Sequence, residues 1–208
     1  FRSVFTKILF LKAWLFVGGT LVAGLALALS LYLTVHFSRG VSTRSLPEET
    51  LRLLWASVVA GAGLTVLIAS PVLGAVARGR WETFLLFFNK LSFGVNDLQF
   101  GLDISFYVVT LRLLQFFQGW FLGLIITVIV ASLSLYVATY SFRGVGFLLA
   151  PRMLTHVAVL GLLLMLAIAI GHVLDVYELV LSSKGVVFGA TYTDVHARIP
   201  ALWLLTGI

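Results

Sequence analysis

The sequence has no cysteine and few charged residues, and both absences exclude classes of function. None of its 208 residues is cysteine, and 11% are charged. Without thiolates this chain cannot form disulfides or hold a zinc ion or an Fe–S cluster through cysteine. Soluble domains are typically about one quarter charged. The low charge therefore predicts a protein whose surface faces lipid.

The charged residues are clustered, and the uncharged stretches between them are long enough to cross a bilayer. Four stretches cover residues 13–38, 53–77, 113–142 and 153–174. Each exceeds the ~20 residues that a spanning helix needs. A fifth apolar run begins at residue 199 and continues to residue 208. This pattern predicts an all-α, polytopic transmembrane helical bundle with four full spans, the start of a fifth, and interfacial helices and loops.

No soluble domain is recognisable between the spans, so we expect residues 1–208 to form a single transmembrane domain. The sequence starts at Phe1 without the features of a signal peptide. The last apolar run would cross about a third to a half of a bilayer at ~1.5 Å per residue. We therefore expect the chain to be a fragment of a larger protein.

The net charge of +6 could suggest a nucleic-acid-binding protein, but the placement of the charges favours a membrane. The basic residues flank the spans singly or in pairs and do not gather on one helical face. We expect the lipid bilayer and other membrane protein subunits as partners, and no nucleic acid.

The two membrane faces differ in composition. We call the face that carries the N-terminus side 1; it holds residues 1–12, 78–112 and 175–198, with nine of the 14 basic and six of the eight acidic residues. The count of basic residues favours a cytoplasmic side 1, although the net charge of the two sides is equal. Side 1 also carries an aromatic interfacial segment at 81–91 and two glycine-containing loops.

Polar and aromatic residues in the two side 1 loops are the predicted interaction surface. They are Asn96, Asp97, Asp103, Tyr107, Tyr177, Glu178, Tyr192 and Asp194. Clustered carboxylates can bind Ca²⁺ or Mg²⁺, but EF-hand spacing is absent from the sequence. We expect these acids to cap helices and pair with basic residues, and we predict no metal site. We also expect segments 81–107 and 177–198 to meet in one ordered cap.

Small residues at helical spacing are the predicted helix-packing positions. They are Ser57, Gly61 and Thr65 on the second span and Gly119 and Gly123 on the third. Such residues let helices approach closely. A pore lining is the alternative interpretation.

His156 and His36 are the candidate cofactor ligands. A neutral imidazole can ligate haem or chlorophyll, and both residues lie towards side 2, the opposite face. His172 lies ~24 Å from His156 along the same helix at ~1.5 Å per residue, which disfavours a paired-haem arrangement. A single pigment or haem at His156, with or without His36, remains one interpretation, and hydrogen-bonded histidines are the other. The sequence leaves the cofactor unknown.

Catalysis is not expected in these spans, and we predict no catalytic residue. They contain no Asp, Glu or Lys. Intramembrane hydrolysis needs a nucleophile with a base or paired aspartates, and ion-coupled transport usually leaves ionisable residues near the midplane.

The two side 1 loops resemble a known family. Residues 93–107 read F-G-V-N-D-L-Q-F-G-L-D-I-S-F-Y, and residues 177–202 read Y-E-L-V-L-S-S-K-G-V-V-F-G-A-T-Y-T-D-V-H-A-R-I-P-A-L. These segments, with the start F-R-S-V-F-T-K, resemble uncharacterised protein family 182, large bacterial membrane proteins. The resemblance implies a seven-helix membrane region followed by a large extracytoplasmic domain. This chain would hold the second to fifth helices and the start of the sixth.

The resemblance also bears on orientation and function. It implies that side 1 faces outward, against the count of basic residues, and we adopt the outward orientation. The resemblance also leads us to expect a proline near Arg112, but the sequence there is T-L-R-L-L. The residue at which the third span begins is therefore left open. The leading hypothesis is a membrane anchor or scaffold, multi-pass in the bacterial cytoplasmic or photosynthetic membrane, which docks to a larger complex or carries an extracytoplasmic domain. A transporter or channel component and a pigment- or haem-binding subunit are the alternatives.

Overall fold

The structure is a computed structural model, and it describes residues 2–38, 47–143, 150–181 and 191–207. Within these ranges the chain is almost wholly helical and contains no β-strand, so the predicted all-α class is confirmed. Most of the two side 2 connections, at 39–46 and 144–149, and the middle of the second side 1 loop, at 182–190, lie outside the described residues.

Six α-helices make up most of the described chain. They are α1 (Arg2–Ser38), α2 (Glu48–Gly79), α3 (Trp81–Phe88), α4 (Leu111–Arg143), α5 (Pro151–Glu178) and α6 (Ile199–Thr206). A π-helical turn precedes α4 at Phe106–Thr110 and another precedes α6 at Asp194–Arg198. A 3₁₀ turn, Leu179–Leu181, extends α5.

Four helical stretches are long and apolar enough to cross a membrane, which confirms the predicted number of full spans. They are Val4–Ser38, Glu48–Gly79, Phe106–Ser141 and Pro151–Leu181. The third and fourth continue past Arg112 and Asp175, which bounded the predicted spans. Charged side chains near a helix end can reach the polar interface while the backbone stays helical. The start of the third span, left open by the sequence, therefore lies before Arg112.

The described residues group into two compact units, one with residues 1–79 and 123–163, the other with residues 80–122 and 164–208. In the first unit α1 and α2 pack closely through glycines. A Cβ atom on Gly74 would lie 2.7 Å from the carbonyl oxygen of Phe16, and one on Gly19 would lie 3.0 Å from the Cβ of Ala77. That residues 1–208 act as one transmembrane domain stays a prediction.

The predicted packing stripe does not make this close approach. A Cβ atom on Gly61, Gly119 or Gly123 would meet no atom within 4 Å, and Ser57 is exposed. Gly61 and Thr65 instead line an open groove of about 590 Å³ in the first unit. Among the described residues, α1 and α2 therefore approach closely at Gly19 and Gly74, and not at the predicted glycines. Packing of the stripe against further protein stays a prediction.

The core of the second unit joins the first side 1 loop to the helix ends. Its centre is formed by the buried residues Tyr107, Leu111 and Leu174. The partly buried side chains around it are Phe100, Leu102, Phe106, Tyr177 and Val180. The short helix α3, predicted to be interfacial, contributes Phe84, whose ring packs edge-on against Phe116 and Phe117. The loop is thus anchored to the helices by aromatic packing.

Candidate functional site

The segment 92–105, which we call the hairpin loop, is the most elaborately built feature of side 1. The amide of Asp97 donates to the carbonyl of Leu102 over 2.8 Å, and that of Ile104 donates to the carbonyl of Val95 over 2.9 Å. Gly94 and Gly101 have φ angles of 69° and 68°, in the left-handed region that glycine adopts readily. The two glycines therefore permit the tight reversal that the backbone hydrogen bonds then hold.

The carboxylate of Asp103 fixes the base of the hairpin loop. It accepts hydrogen bonds from the amides of Phe93 (3.2 Å), Gly94 (3.0 Å) and Ser105 (2.7 Å), and from the hydroxyl of Ser92. Hydrogen bonds from Ser105 and then Ser92 hold the pKa of Asp103 well below its ordinary value, because they favour the ionised form. Since Ile104 and Ser105 are already helical, the hydrogen bond from the amide of Ser105 also makes Asp103 a cap of this helical start.

The carboxylate of Asp97 fixes the other end of the loop. It accepts hydrogen bonds from the amides of Gln99 (3.1 Å) and Phe100 (2.7 Å). It also accepts one from the hydroxyl of the buried Tyr107, over 3.1 Å. The loop is therefore tied both to itself and to the first turn of the third span.

The hairpin loop exposes apolar side chains among its polar ones. Leu98, at the tip, is fully exposed, and Phe93 and Val95, together with Leu91 just before the loop, are more than half exposed. These apolar residues are not among the predicted interaction residues, which were polar or tyrosine. The signal was present in N-D-L-Q-F-G, where a leucine occupies the centre of an otherwise polar turn.

The predicted interaction surface divides into two groups. Asp97, Asp103 and Tyr107 are turned towards the loop and the core, so they support the surface more than they form it. Asn96, Glu178 and Tyr192 are exposed, and the ring of Tyr192 stacks on His196 at 4.0 Å between centroids. Docking through any of them stays a prediction.

The two side 1 segments touch at Tyr177. Its ring lies 5.1 Å from that of Phe100 and 5.7 Å from that of Phe106, measured between centroids. These contacts join the first loop to the last turn of α5. Residues 182–190 lie outside the described residues, so a cap that includes the whole second segment stays a prediction.

The second side 1 segment ends in a capping arrangement before α6. Asp194 accepts a hydrogen bond from the amide of Thr191 over 3.0 Å and from its hydroxyl over 2.8 Å. These bonds, with Arg198 at 3.8 Å, lower the pKa of Asp194. Asp194 is thus a helix cap and an ion-pair partner, as its sequence context predicts.

His156, the candidate cofactor ligand, belongs to a buried hydrogen-bond network in the first unit. Its Nε2 lies 3.2 Å from Oγ of Ser30, and its Nδ1 lies 2.9 Å from the hydroxyl oxygen of Tyr136. Ser30 also lies 2.8 Å from Oγ of Ser132, so α1, α4 and α5 are joined at one depth. A haem or chlorophyll at His156 would have to displace one of these partners.

His36 is placed differently from His156. Its ring is exposed, stacks on Tyr32 at 5.9 Å between centroids, and meets Phe37 edge-on. Phe37 in turn packs edge-on against His156 at 6.1 Å. Cofactor binding by either histidine stays a prediction. Among the described residues, no group of three or more His, Asp or Glu side chains is arranged to hold a metal ion.

Comparison with known proteins agrees with the sequence resemblance. The family described as "Uncharacterised protein family (UPF0182)" matches residues 1–208. UPF0182 proteins of Frankia alni and Thermobifida fusca are each 36% identical to this chain, over 222 and 221 residues. A UPF0182 protein of Synechococcus sp. is 33% identical over 161 residues, which cover 76% of this chain and 18% of the relative. No solved structure matches this chain.

The chain matches only a small part of each of these relatives. The alignments with the Frankia alni and Thermobifida fusca proteins cover 99% of this chain but only 21% of each relative. The chain therefore spans about a fifth of the length of these curated relatives.

Proposed function

We propose that this chain, which belongs to the uncharacterised protein family UPF0182, is part of a membrane anchor or scaffold in the bacterial cytoplasmic membrane. In this proposal the hairpin loop docks a protein partner on side 1. The partner is the remaining part of the longer protein or a neighbouring membrane subunit.

The hairpin loop supports the proposal because its tip is apolar and exposed while its backbone is held in place by hydrogen bonds. Leu98 is fully exposed, yet the carboxylates of Asp97 and Asp103 hold the loop on either side of it. Exposed apolar groups rimmed by polar residues are typical of interaction sites. A loop that is already ordered loses little conformational entropy on binding, so its apolar contacts contribute more fully to affinity.

The length of the relatives supports docking on side 1. Since 79% of the Frankia alni and Thermobifida fusca proteins lies outside the region aligned with this chain, a large part of such a protein is available to contact the loop. An extracytoplasmic position of side 1, implied by the family resemblance, would place the loop beside that part.

Site-specific photo-crosslinking in the full-length protein tests this proposal. A photoreactive amino acid at Leu98 is expected to give a protein crosslink, either within the chain or to a second protein. The same group at Glu49, an exposed residue on side 2, serves as the matched control. Crosslinks from Leu98 to lipid alone would contradict docking and would indicate that the tip inserts into the bilayer.

Substitution gives an independent measurement. Leu98→Ser is expected to reduce co-purification of the partner that the crosslink identifies. Gln99→Ser, at the next exposed position of the same loop, is expected to leave co-purification unchanged. Asp103→Ala is expected to act like Leu98→Ser, because it removes the acceptor that holds the loop. Equal recovery with all three variants would count against scaffolding.

A transporter or channel component is the second candidate, and one observation favours it. The groove in the first unit is lined by Gly61, Thr65, Thr127 and Ser134 together with apolar side chains, so it offers both space and hydroxyl groups along the spans. Solute flux through liposomes containing the full-length protein, and its loss in Gly61→Leu, would support transport over scaffolding.

A further inference from the structure

The second unit contains a polar cavity at the side 1 ends of α4 and α5. Its volume is about 430 Å³, and its charged lining residues are Arg80, Arg112 and Glu178. The amide nitrogen Nε2 of Gln115 donates a hydrogen bond to Oε2 of Glu178 over 3.0 Å. One carboxylate is therefore held in position beside two arginines.

The two guanidinium groups are not neutralised by neighbouring carboxylates. Among the described residues, neither Arg80 nor Arg112 forms an ion pair, with Glu178 or with any other acid. The lining thus carries two separate positive charges and one negative charge, with open space rather than a salt bridge among them. This arrangement suits a ligand that carries charges of both signs.

The cavity lies at the level of the lipid headgroups. Arg80 directly follows Gly79, the last residue of the second span, and Arg112 lies in the second turn of the third span, which begins at Phe106. Glu178 lies three residues before the end of the fourth span at Leu181. All three residues are therefore near the side 1 edge of the hydrocarbon region, where phosphate groups are found.

We propose that this cavity binds the headgroup of an ethanolamine phospholipid, with the phosphate at Arg80 and Arg112 and the ammonium at Glu178. Guanidinium groups bind phosphate oxygens through paired, charge-assisted hydrogen bonds. An ammonium group donates three hydrogen bonds and complements the carboxylate that Gln115 orients. An anionic headgroup without an ammonium would leave Glu178 close to a second negative charge.

Native mass spectrometry of the full-length protein with defined lipids tests the assignment. With equal amounts of phosphatidylethanolamine and phosphatidylglycerol of the same acyl chains, the wild-type protein is expected to retain mainly the ethanolamine lipid. The double variant Arg80→Gln/Arg112→Gln is expected to retain roughly tenfold less of both, because it removes the two charged donors to the phosphate; a tenfold loss corresponds to ~1.4 kcal/mol of binding free energy. The double variant Arg78→Gln/Arg152→Gln removes two exposed arginines outside the cavity and is expected to behave like wild type.

Glu178→Gln separates the two halves of the proposal. This variant is nearly isosteric, so it is expected to fold and to retain phospholipid but to lose the preference for ethanolamine. Equal retention of both lipids by the wild type would overturn the ammonium assignment. Unchanged retention by Arg80→Gln/Arg112→Gln would overturn the site itself.

A soluble probe distinguishes the source of the headgroup. O-phosphoethanolamine carries the same charges without acyl chains, and inorganic phosphate carries the phosphate alone. Both are expected to compete weakly, at concentrations far above that of the lipid, because lipid is delivered within the membrane plane. If either competes as well as the lipid itself, the cavity binds a soluble phosphate compound and the assignment to a membrane lipid fails.

Discussion

The hydroxyl group of Tyr107 donates a hydrogen bond to the carboxylate of Asp97 over 3.1 Å, and this contact ties the hairpin loop to the third span. Tyr107 is 1% exposed, whereas Leu98, the residue after Asp97, is fully exposed. A buried ring at the helix end thus supports the side chain that we propose as the centre of docking.

Tyr107→Phe is expected to loosen the hairpin loop without unfolding the spans. The change removes one hydrogen bond to a carboxylate, which we expect to cost about 1.5 kcal/mol locally. Amide hydrogen exchange at Asp97 and Gly101 should then be roughly tenfold faster, because exchange reports the local opening free energy. Tyr192→Phe, at an exposed ring, is the control. Equal exchange in Tyr107→Phe and wild type would show that the hydrogen bond does not hold the loop.

The low pKa of Asp103 predicts a loop that loosens only in acid. Because the folded pKa lies below the ordinary value of ~3.9, ionised Asp103 stabilises the loop fully above that value. The contribution is lost as the pH falls from ~4 towards the folded pKa. The fluorescence anisotropy of a dye on Leu98→Cys should stay constant from about pH 7 to pH 5 and decrease below pH 4. In the Asp103→Asn background the anisotropy should be low throughout; a drop near neutral pH in the parent protein would contradict this assignment.

The spans could be predicted from the sequence because a charge inside the hydrocarbon region is costly, so uncharged runs mark it. The helix ends could not, because Arg112 and Asp175 lie within helices that continue to the interface. Helix packing was predicted at Gly61 and found at Gly74. Helical periodicity places residues on one face, but it does not tell which face meets a neighbour.

The side 1 residues were identified, but their roles were only partly predictable. Asp97 and Asp103 were chosen as surface residues, and both turn towards backbone amides of their own loop. That inward role depends on the left-handed backbone at Gly94 and Gly101, which brings the amides together. The cavity at Arg80, Arg112 and Glu178 joins residues up to 98 positions apart in the chain, and local patterns carry no such information.

The buried serine pair should couple α1 to α4. Oγ of Ser30 and Oγ of Ser132 lie 2.8 Å apart. Ser30→Ala and Ser132→Ala should each destabilise the protein, and a double-mutant cycle should give a coupling of ~0.6 kcal/mol, the average for interhelical hydrogen bonds in membranes. Thermal unfolding in detergent measures this. Ser57→Ala is the control, since Ser57 bonds only the carbonyl of Leu54 on its own helix. A coupling of zero would show that the pair contributes no net stability.

Two glycine substitutions on α2 should differ in their effect on stability. Gly74→Ala places a methyl group 2.7 Å from the carbonyl oxygen of Phe16, so α1 must move, at a cost of ~1–3 kcal/mol. Gly61→Ala adds a methyl group in open space and should be neutral or stabilise the helix by up to ~1 kcal/mol. Thermal unfolding in detergent compares the two. Destabilisation by Gly61→Ala would indicate that another part of the full-length protein packs there.

The orientation of side 1 can be measured because this chain has no cysteine of its own. We expect Leu98→Cys, in a full-length protein whose other cysteines have been replaced, to react with a membrane-impermeant maleimide added to intact cells. Glu49→Cys, exposed on side 2, should react only after the membrane is permeabilised.

The expected outward orientation of side 1 follows from the family resemblance and opposes the count of basic residues. That count is weak here because the net charge is equal on both sides and several side 1 arginines, such as Arg112, lie within structured segments. The reverse labelling pattern would place the hairpin loop in the cytoplasm and remove it from any extracytoplasmic domain.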